Sequence, residues 1–396
     1  MNDRNPIVIV SGARTPMGGM QGDFASVTAS QLGAAAITSA LQRSGIKGED
    51  VDEVIIGNVL GAGQGQAPAR QASKGAGIPD SVGATTVNKM CGSGMKATML
   101  GHDLLLAGSA NIVVTGGMES MTNAPYLLEK AREGFRIGHG EIKDHMFLDG
   151  LEDAYDVGCA MGVFAERTAQ HYQFTREQQD AYAIESLRRA QGATADGSFH
   201  NEITPVTVKK RKGERLVEVD EQPGNANFEK IPTLRPAFSK DGSVTAANSS
   251  SISDGAAALV LMRLEDAEKR GLNPLARIVG HATHAQEPAW FTTAPIGAVN
   301  ALFDKIGWKK ADVDLFEVNE AFAVVAMAAM RELDLPHDKV NIHGGACALG
   351  HPIGASGARI LVTLISALQK TGGNKGVAAL CIGGGEATSM AVELLH

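Results

Sequence analysis

Two cysteines and one histidine stand in settings that suit acyl-transfer chemistry. Cys91 lies within residues 88–97, where small residues follow the thiol and a predicted helix continues to about Ala107. The first N–H groups of a helix lack intrahelical partners, so their partial positive charge favours a thiolate there. Such a thiolate, with glycines clearing space around it, could attack an acyl group and hold it as a thioester. A buried structural cysteine is the alternative.

Three further segments carry candidate groups. Residues 344–357 are rich in glycine and place His351 at a bend before Pro352, where small neighbours let another molecule come close. Residues 377–386 predict an apolar strand that ends in Cys381 and three glycines. The polar pair Asn319 and Glu320 interrupts an apolar strand-to-helix passage. Buried polar groups need partners, so this pair is either a hydrogen-bond node or part of a site.

Together, in this order and at these separations, the four segments resemble the thiolase family. The resemblance covers nearly the whole chain, from residues 9–16 to the glycine-rich end. It implies an α/β fold in which two similar halves form a five-layer αβαβα sandwich with an inserted loop domain. It also implies that two acetyl-CoA molecules condense to acetoacetyl-CoA and CoA, or the reverse.

The same resemblance assigns roles to the candidate residues. Cys91 would carry the acyl group, His351 would act as its base, and Cys381 would move the proton of the incoming acetyl methyl group. His351 and a water held by Asn319 would stabilise the enolate oxygen, while the N–H groups of Cys91 and Gly383 would stabilise the tetrahedral intermediate. Glu320 is given a structural role, because a carboxylate suits the start of the following helix.

Coenzyme A is expected as substrate and product, with no other cofactor and no metal. By resemblance, Ser250 would contact its pantetheine arm, and Met161 and Phe238 would line the tunnel. Its phosphates call for a local positive patch on an acidic chain. The candidate is residues 209–212, which read Lys-Lys-Arg-Lys, with Arg215 nearby; a solvated hairpin tip is the alternative.

Some positions depart from the usual pattern of the family. Many relatives have histidine at Ala160, glycine at Ser251 and an arginine near Gly224, so contacts with coenzyme A are expected to differ. Cys347 and His343 also replace more usual residues. Cys347 is interpreted as a small apolar filler, Cys159 as packing in the loop domain, and His343 is assigned no role.

The pattern of the chain predicts three parts. Residues 1–122, completed by about 246–270, form an N-terminal half; residues 123–245 form a loop domain that covers coenzyme A; residues 271–396 form a C-terminal half. A weak internal repeat supports this division, since a glycine turn, a helix, a strand, further glycines and an acid recur around Cys91–Glu119 and Ser356–Glu386. Helices are predicted at 30–44, 162–173 and 176–192, and strands at 7–10 and 53–59.

Composition narrows the class of protein. A net charge of −8 over 396 residues argues against a nucleic-acid partner, and four scattered cysteines show neither a disulfide framework nor a zinc pattern. The start of the chain lacks a signal pattern and no apolar run is long enough for a membrane span, so a cytoplasmic protein without a membrane partner is expected. The resemblance further implies fatty acid metabolism and a homo-oligomer, either a dimer or a homotetramer, with residues 134–141 as a loop that could form the tetramer.

Three other functions stay open. A 3-ketoacyl-CoA thiolase for longer chains would share all four segments. A ketoacyl-ACP synthase would share the duplicated fold. Such enzymes resemble one another in a Cys-His-His set of site residues, whereas this chain has a second cysteine, Cys381. A non-catalytic CoA-binding protein would be favoured by loss of Cys91 or His351, and both are present.

Overall fold

The computed structural model describes residues 5–211 and 213–395. Lys212, the last residue of the predicted basic patch, lies outside the described residues. The strands are β1 Ile7–Arg14, β2 Gly18–Gly19, β3 Glu53–Gly57, β4 Gly83–Val87, β5 Ile112–Ser120, β6 Tyr126–Leu127, β7 Lys143–Asp144, β8 Val206–Lys210, β9 Gly213–Val217, β10 Ser253–Arg263, β11 Ala276–Ala285, β12 Leu315–Val318, β13 Lys375–Ile382 and β14 Glu386–Leu394.

The helices alternate with these strands, as an α/β fold requires. They are α1 Ala29–Ser44, α2 Pro68–Gly75, α3 Ser93–Leu106, α4 Met161–Tyr172, α5 Arg176–Ala195, α6 Glu221–Asn225, α7 Leu264–Lys269, α8 Ala294–Ile306, α9 Ala323–Leu333, α10 Ala346–Leu349 and α11 Ser356–Thr371. Among the described residues, none of these helices is both long and apolar enough to cross a membrane.

Two similar half-sheets form the frame of the molecule. The first has the strand order β4-β3-β5-β10-β1 and the second β11-β14-β13-β12. They meet where Val8 and Ile9 of β1 pair with Arg277 and Ala276 of β11. The strand β10 lies between β1 and β5, so the chain returns to the first half after a long excursion, residues 121–252.

Helices complete the five layers that the resemblance implied. Helices α3 and α11 contact each other and strands of both half-sheets, so they form the central layer. Helices α1 and α2 cover the first half-sheet, and α8 covers the second. The predicted fold class is thus confirmed, while the boundaries near residues 122, 245 and 271 stay a prediction.

Most of the predicted elements are present with small shifts. Thr175 caps α5 as predicted, since its side chain accepts a hydrogen bond from the Gln178 N–H, but the helix continues to Ala195. The strand predicted at 53–59 ends at Gly57. The reason is that the N–H groups of Val59 and Leu60 turn to the carboxylate of Glu119 instead of continuing the ladder.

Candidate active site

Cys91 lies in a tight loop immediately before helix α3. Met90 has a left-handed backbone (φ +47°), and Gly92 precedes the first helical residue, Ser93. The Ser93 hydroxyl accepts a hydrogen bond from the Lys89 N–H at 2.9 Å and donates one to the Met90 carbonyl at 2.6 Å. The sequence therefore placed Cys91 correctly, at the start of a helix.

The expected thiolate is wrong for the free protein. Burial raises the pKa of the Cys91 thiol to about 11, and the charge of Glu119 raises it further. The backbone N–H groups of Gly383 and of Cys91 itself point at the sulfur and oppose this shift, but they do not overcome burial. Cys91 is therefore a neutral thiol at neutral pH and needs a base.

His351 is a buried neutral imidazole with one nitrogen free. Its Nδ1 lies 2.5 Å from the Ser356 hydroxyl, which also lies 3.0 Å from the Pro352 carbonyl. Its Nε2 has no hydrogen-bond partner among residues 5–211 and 213–395. Burial lowers the pKa of His351 to about 3, and the nearby Arg359 charge lowers it further. A neutral ring with an open Nε2 can accept a proton.

The end of strand β13 meets the Cys91 loop. The Gly383 N–H is directed at the Cys91 sulfur, and a Cβ on Gly92 would lie only 2.4 Å from the Ile382 side chain. Lys89 and Glu386 form an ion pair across the same junction. Cys381 is fully buried; its pKa is raised well above that of an ordinary thiol, by burial first and then by the charge of Cys91. The charge of Cys91 therefore acts on Cys381, while the catalytic roles of both thiols stay a prediction.

Asn319 follows strand β12 as a buried amide. Its N–H donates to the Ala379 carbonyl at 3.0 Å, which fixes its backbone beside β13. Neither polar atom of its side chain has a partner in the part of the chain that the structure describes. A buried amide in this state needs a water or a ligand, since leaving both atoms unpaired costs free energy.

Two family models match the chain along almost its whole length. The thiolase N-terminal domain matches residues 7–265, and the thiolase C-terminal domain matches residues 272–394. The chain belongs to the thiolase family.

Named relatives agree with this placement. An acetyl-CoA acetyltransferase of Schizosaccharomyces pombe is 49% identical, covering 98% of this chain and 98% of the relative. Acetyl-CoA acetyltransferase 2 of Arabidopsis thaliana is 50% identical, covering 98% and 97%. A crystal structure of the Acat5 thiolase from Ascaris suum in complex with coenzyme A matches with a TM-score of 0.93 and 42% identity, covering 98% of this chain and 100% of that one.

In this thiolase, Glu320 is a structural hydrogen-bond node. Its carboxylate accepts hydrogen bonds from the Tyr182 hydroxyl, the Ser186 hydroxyl, the Asn341 amide and the Cys347 N–H, at 2.7–3.1 Å. These donors join α5 to the loop of Asn341 and to helix α10. The structural role was predicted, but the capping of α9 was not found, because that helix begins after Phe322 without a side-chain cap.

Two of the three residues predicted to contact coenzyme A lie at the start of α4 or pack against it. Met161 opens α4, and its sulfur lies 3.5 Å from where a Cβ on Gly383 would stand. The Phe238 ring packs against Gly162 and, edge to face at 6.0 Å, against Phe322.

Ser250 is hydrogen-bonded to the segment just before α9. Its backbone N–H and its hydroxyl both donate to the Ala321 carbonyl at 2.9 Å. Its contact with pantetheine stays a prediction.

A cavity of about 220 Å³ lies between the excursion and the core. It reaches Ser251 and Cys347, and it has Lys230 at its wall. The sequence did not single out Lys230, because an isolated lysine in a charged stretch carries no distinguishing signal.

Cys347 is a poor nucleophile here, since burial raises the pKa of its thiol well above the usual value. The interpretation as a filler fits, although its side chain also lines this cavity.

The predicted basic patch lies on the hairpin β8–β9. Lys209, Lys210 and Arg211 are exposed there, whereas Arg215 pairs with Asp23.

His343 is buried and packs edge to face on Phe199, with 5.9 Å between ring centroids. Cys159 packs against the apolar cluster around α9.

Sequence reasoning missed two residues that position the site. Ser356 holds His351, and its only signal was a hydroxyl five residues after the histidine in the same glycine-rich run. Glu119 accepts hydrogen bonds from the N–H groups of Gly354, Val59 and Leu60, so it fixes the loop that carries His351. Its signal was the acid at the end of the internal repeat.

Proposed function

We propose that this thiolase condenses two acetyl-CoA molecules to acetoacetyl-CoA and CoA, and catalyses the reverse thiolysis, through an acyl group on Cys91. The observation that carries the proposal is the convergence on the Cys91 sulfur of two N–H groups, from Cys91 and from Gly383. Such a pair is the donor set that a tetrahedral oxyanion needs. The names of the relatives support the acetyl group as cargo.

In the acylation step, the open Nε2 of His351 accepts the Cys91 proton as sulfur attacks the thioester carbonyl. The tetrahedral oxyanion receives hydrogen bonds from the N–H groups of Cys91 and Gly383. The C–S bond to coenzyme A then breaks, and His351 returns the proton to the departing thiolate. The products are acetyl-Cys91 and CoA, with His351 neutral again.

In the condensation step, Cys381 passes its proton to His351 and removes a proton from the methyl group of the second acetyl-CoA. The enolate oxygen accepts hydrogen bonds from His351 Nε2–H and from a water held by Asn319. The enolate carbon attacks acetyl-Cys91, the Cys91 thiolate leaves, and His351 reprotonates it. The reaction needs no cofactor besides coenzyme A.

Ser356 allows His351 to play both parts. A hydroxyl can accept a hydrogen bond or donate one by rotating its proton. When Ser356 accepts from Nδ1–H and donates to the Pro352 carbonyl, Nε2 is free to act as a base. Once Nε2 has taken up a proton, Nδ1–H still donates to Ser356, and the doubly protonated ring can donate a hydrogen bond from Nε2–H.

Intact-mass measurement after mixing with acetyl-CoA tests the proposal. We expect one acetyl group, mapped to Cys91, in the wild type and in Cys381→Ala, while Cys381→Ala fails to condense. Cys159→Ala is the matched control and should both acylate and condense. An adduct on another residue, or none, would contradict the mechanism.

Met161 beside Gly383, with Phe238 packed against the adjacent Gly162, supports a short acyl group over a long one. We expect acetoacetyl-CoA to be cleaved faster than a long 3-ketoacyl-CoA. Comparable rates with both substrates would favour the longer-chain activity instead.

Assembly as a homotetramer is part of the same proposal. Ile137 is 98% exposed, and Phe135 and Ile142 are also exposed between β6 and β7, which is an unusual concentration of apolar surface. Sedimentation of the wild type and of Ile137→Ser should show a tetramer that dissociates in the variant.

Four free cysteines support a cytoplasmic location, and the acyl-CoA substrates support a place in fatty acid metabolism. Cell fractionation tests the location.

A further inference from the structure

Three potential metal ligands converge on a face that the acyl-transfer chemistry does not use. His102 and Asp103 lie on α3, and His281 lies on β11 of the other half of the molecule. The His102 Nδ1 and the His281 Nε2 lie 3.1 and 3.0 Å from the same oxygen of Asp103. All three ligand atoms lie within 4.8 Å of one another.

We propose that His102, Asp103 and His281 bind a divalent transition-metal ion, with zinc as the natural fit. Two imidazole nitrogens and one carboxylate oxygen, with room left for water, are the ligands of open zinc sites. Bonds of about 2.0–2.1 Å at tetrahedral angles place neighbouring ligand atoms roughly 3.3 Å apart. The two separations from Asp103 need to lengthen by only a few tenths of an ångström, and the two imidazole nitrogens, which lie within 4.8 Å of each other, need to reach the same spacing.

Burial and access also suit an ion. Both imidazole side chains are nearly buried, with 8% and 10% exposed, so their positions are held by the fold. Asp103 is 53% exposed and leaves an entry path from solvent.

One neighbouring charge opposes the ion and offers a test. Lys305 acts on both rings, and its ammonium group donates to the His281 carbonyl at 3.0 Å. An ion at this site would join α3 of the first half to β11 of the second. It would therefore stabilise the packing of the two halves without entering the reaction.

The experiment titrates chelator-treated, dialysed protein with Co²⁺, read by its visible d–d bands, and with Zn²⁺, read by calorimetry. We expect one ion per chain, no thiolate charge-transfer band, and a rise in Tm of a few degrees with saturating zinc. Asp103→Asn and His281→Gln should each weaken zinc binding at least about 100-fold, more than loss of an outer-sphere contact. Lys305→Gln should tighten it.

The control is His284→Gln, on the same strand, whose ring lies 3.0 Å from Gln286 and faces none of the three ligands. It should bind zinc like the wild type. Asp103 is half exposed, so Asp103→Asn should fold even if His281→Gln does not. Absence of binding, or binding that survives Asp103→Asn, would overturn the proposal; in the latter case a thiolate band would place the ion at the cysteines.

Discussion

Burial sets the resting charges of Cys91 and His351. The pKa of Cys91 is raised to about 11 and that of His351 is lowered to about 3, so both are neutral between these values. A proton moves from sulfur to nitrogen only when substrate arrives. This differs from a preformed thiolate–imidazolium pair, whose formation would follow a titration near neutral pH.

The pH dependence of alkylation separates the two states. We expect iodoacetamide to modify wild-type Cys91 without an inflection between pH 5 and 8, because neither group titrates in that window. His351→Ala should be much slower at pH 7 and rise roughly tenfold per pH unit, since only the free thiolate then reacts. Peptide mapping must separate Cys91 from the more exposed Cys159. An inflection near pH 6–7 that the variant loses would show a preformed ion pair.

Ser356 is expected to act through His351 and not through stability alone. Ser356→Ala removes the Nδ1 partner, so we expect kcat to fall on the order of tenfold or more while KM changes little. Ser366→Ala is the matched control, since that buried hydroxyl lies on the same helix and donates to the Ser198 carbonyl at 3.4 Å. Steady-state kinetics on both variants, with their Tm values, check the result. Equal losses in both would indicate a general packing effect.

At the scale of elements, the site depends on how closely two loops approach. At Gly92 the Cys91 loop packs so closely against the end of β13 that a side chain does not fit, whereas Gly383 has room for one. A Cβ at Gly92 would lie 2.4 Å from Ile382, whereas one at Gly383 would make ordinary contact with Met161 at 3.5 Å. The two glycines therefore have different roles. Gly92 allows the two loops to pack closely, and Gly383 leaves open space beside Met161.

Gly92→Ala should separate the loops. We expect a loss of about 1–3 kcal/mol in the free energy of unfolding, because the new methyl group forces Ile382 and its strand to move. Acylation of Cys91 should slow as well, since the Gly383 N–H moves with that strand. Gly224→Ala is the control, because no atom of the described residues lies within 4 Å of its Cβ position. Urea denaturation and acylation rates measure both effects; an unchanged Gly92→Ala would contradict this packing argument.

At the scale of the whole molecule, the internal repeat explains why the halves meet at one centre. The acid that ends each repeat reaches a loop of the opposite half. Glu119 accepts the N–H of Gly354 in the loop of His351, and Glu386 pairs with Lys89 in the loop of Cys91. Each of the two similar halves thus contributes one acidic residue that holds a loop of the other half, and these contacts bring the loops of Cys91 and His351 together.

This long-range assembly marks the limit of sequence reasoning. Periodicity and capping residues predicted α1, α4 and α5 to within a few residues, because those signals are local. The resemblance supplied Cys91, His351 and Cys381. The raised pKa of Cys91 depends on burial by residues far along the chain. The grouping of Asp103 with His281, which is 178 positions further along the chain, depends on tertiary packing. Neither the raised pKa of Cys91 nor this grouping of side chains leaves a local pattern in the sequence.

The excursion is fastened to the first half by a buried ion network. Arg14 of β1 donates two hydrogen bonds to Asp220, at 2.7 and 2.9 Å, and one to Glu202. All three side chains are almost fully buried. Burial raises the pKa of Glu202, and the Arg14 charge opposes that shift, so the carboxylate depends on this arginine.

Removing Arg14 should therefore loosen the excursion more than any surface pair could. Arg14→Met leaves two buried carboxylates, Glu202 and Asp220, without their cation, and we expect a loss of about 3–5 kcal/mol in the free energy of unfolding. Faster proteolysis between residues 196 and 225 should accompany it, because both carboxylates lie in that stretch. Arg188→Met is the control: its pair with Glu185 is exposed, so the cost should stay below about 1 kcal/mol. Urea denaturation and limited proteolysis of both variants decide the matter. Similar small losses would mean that apolar packing, and not these charges, holds the excursion in place.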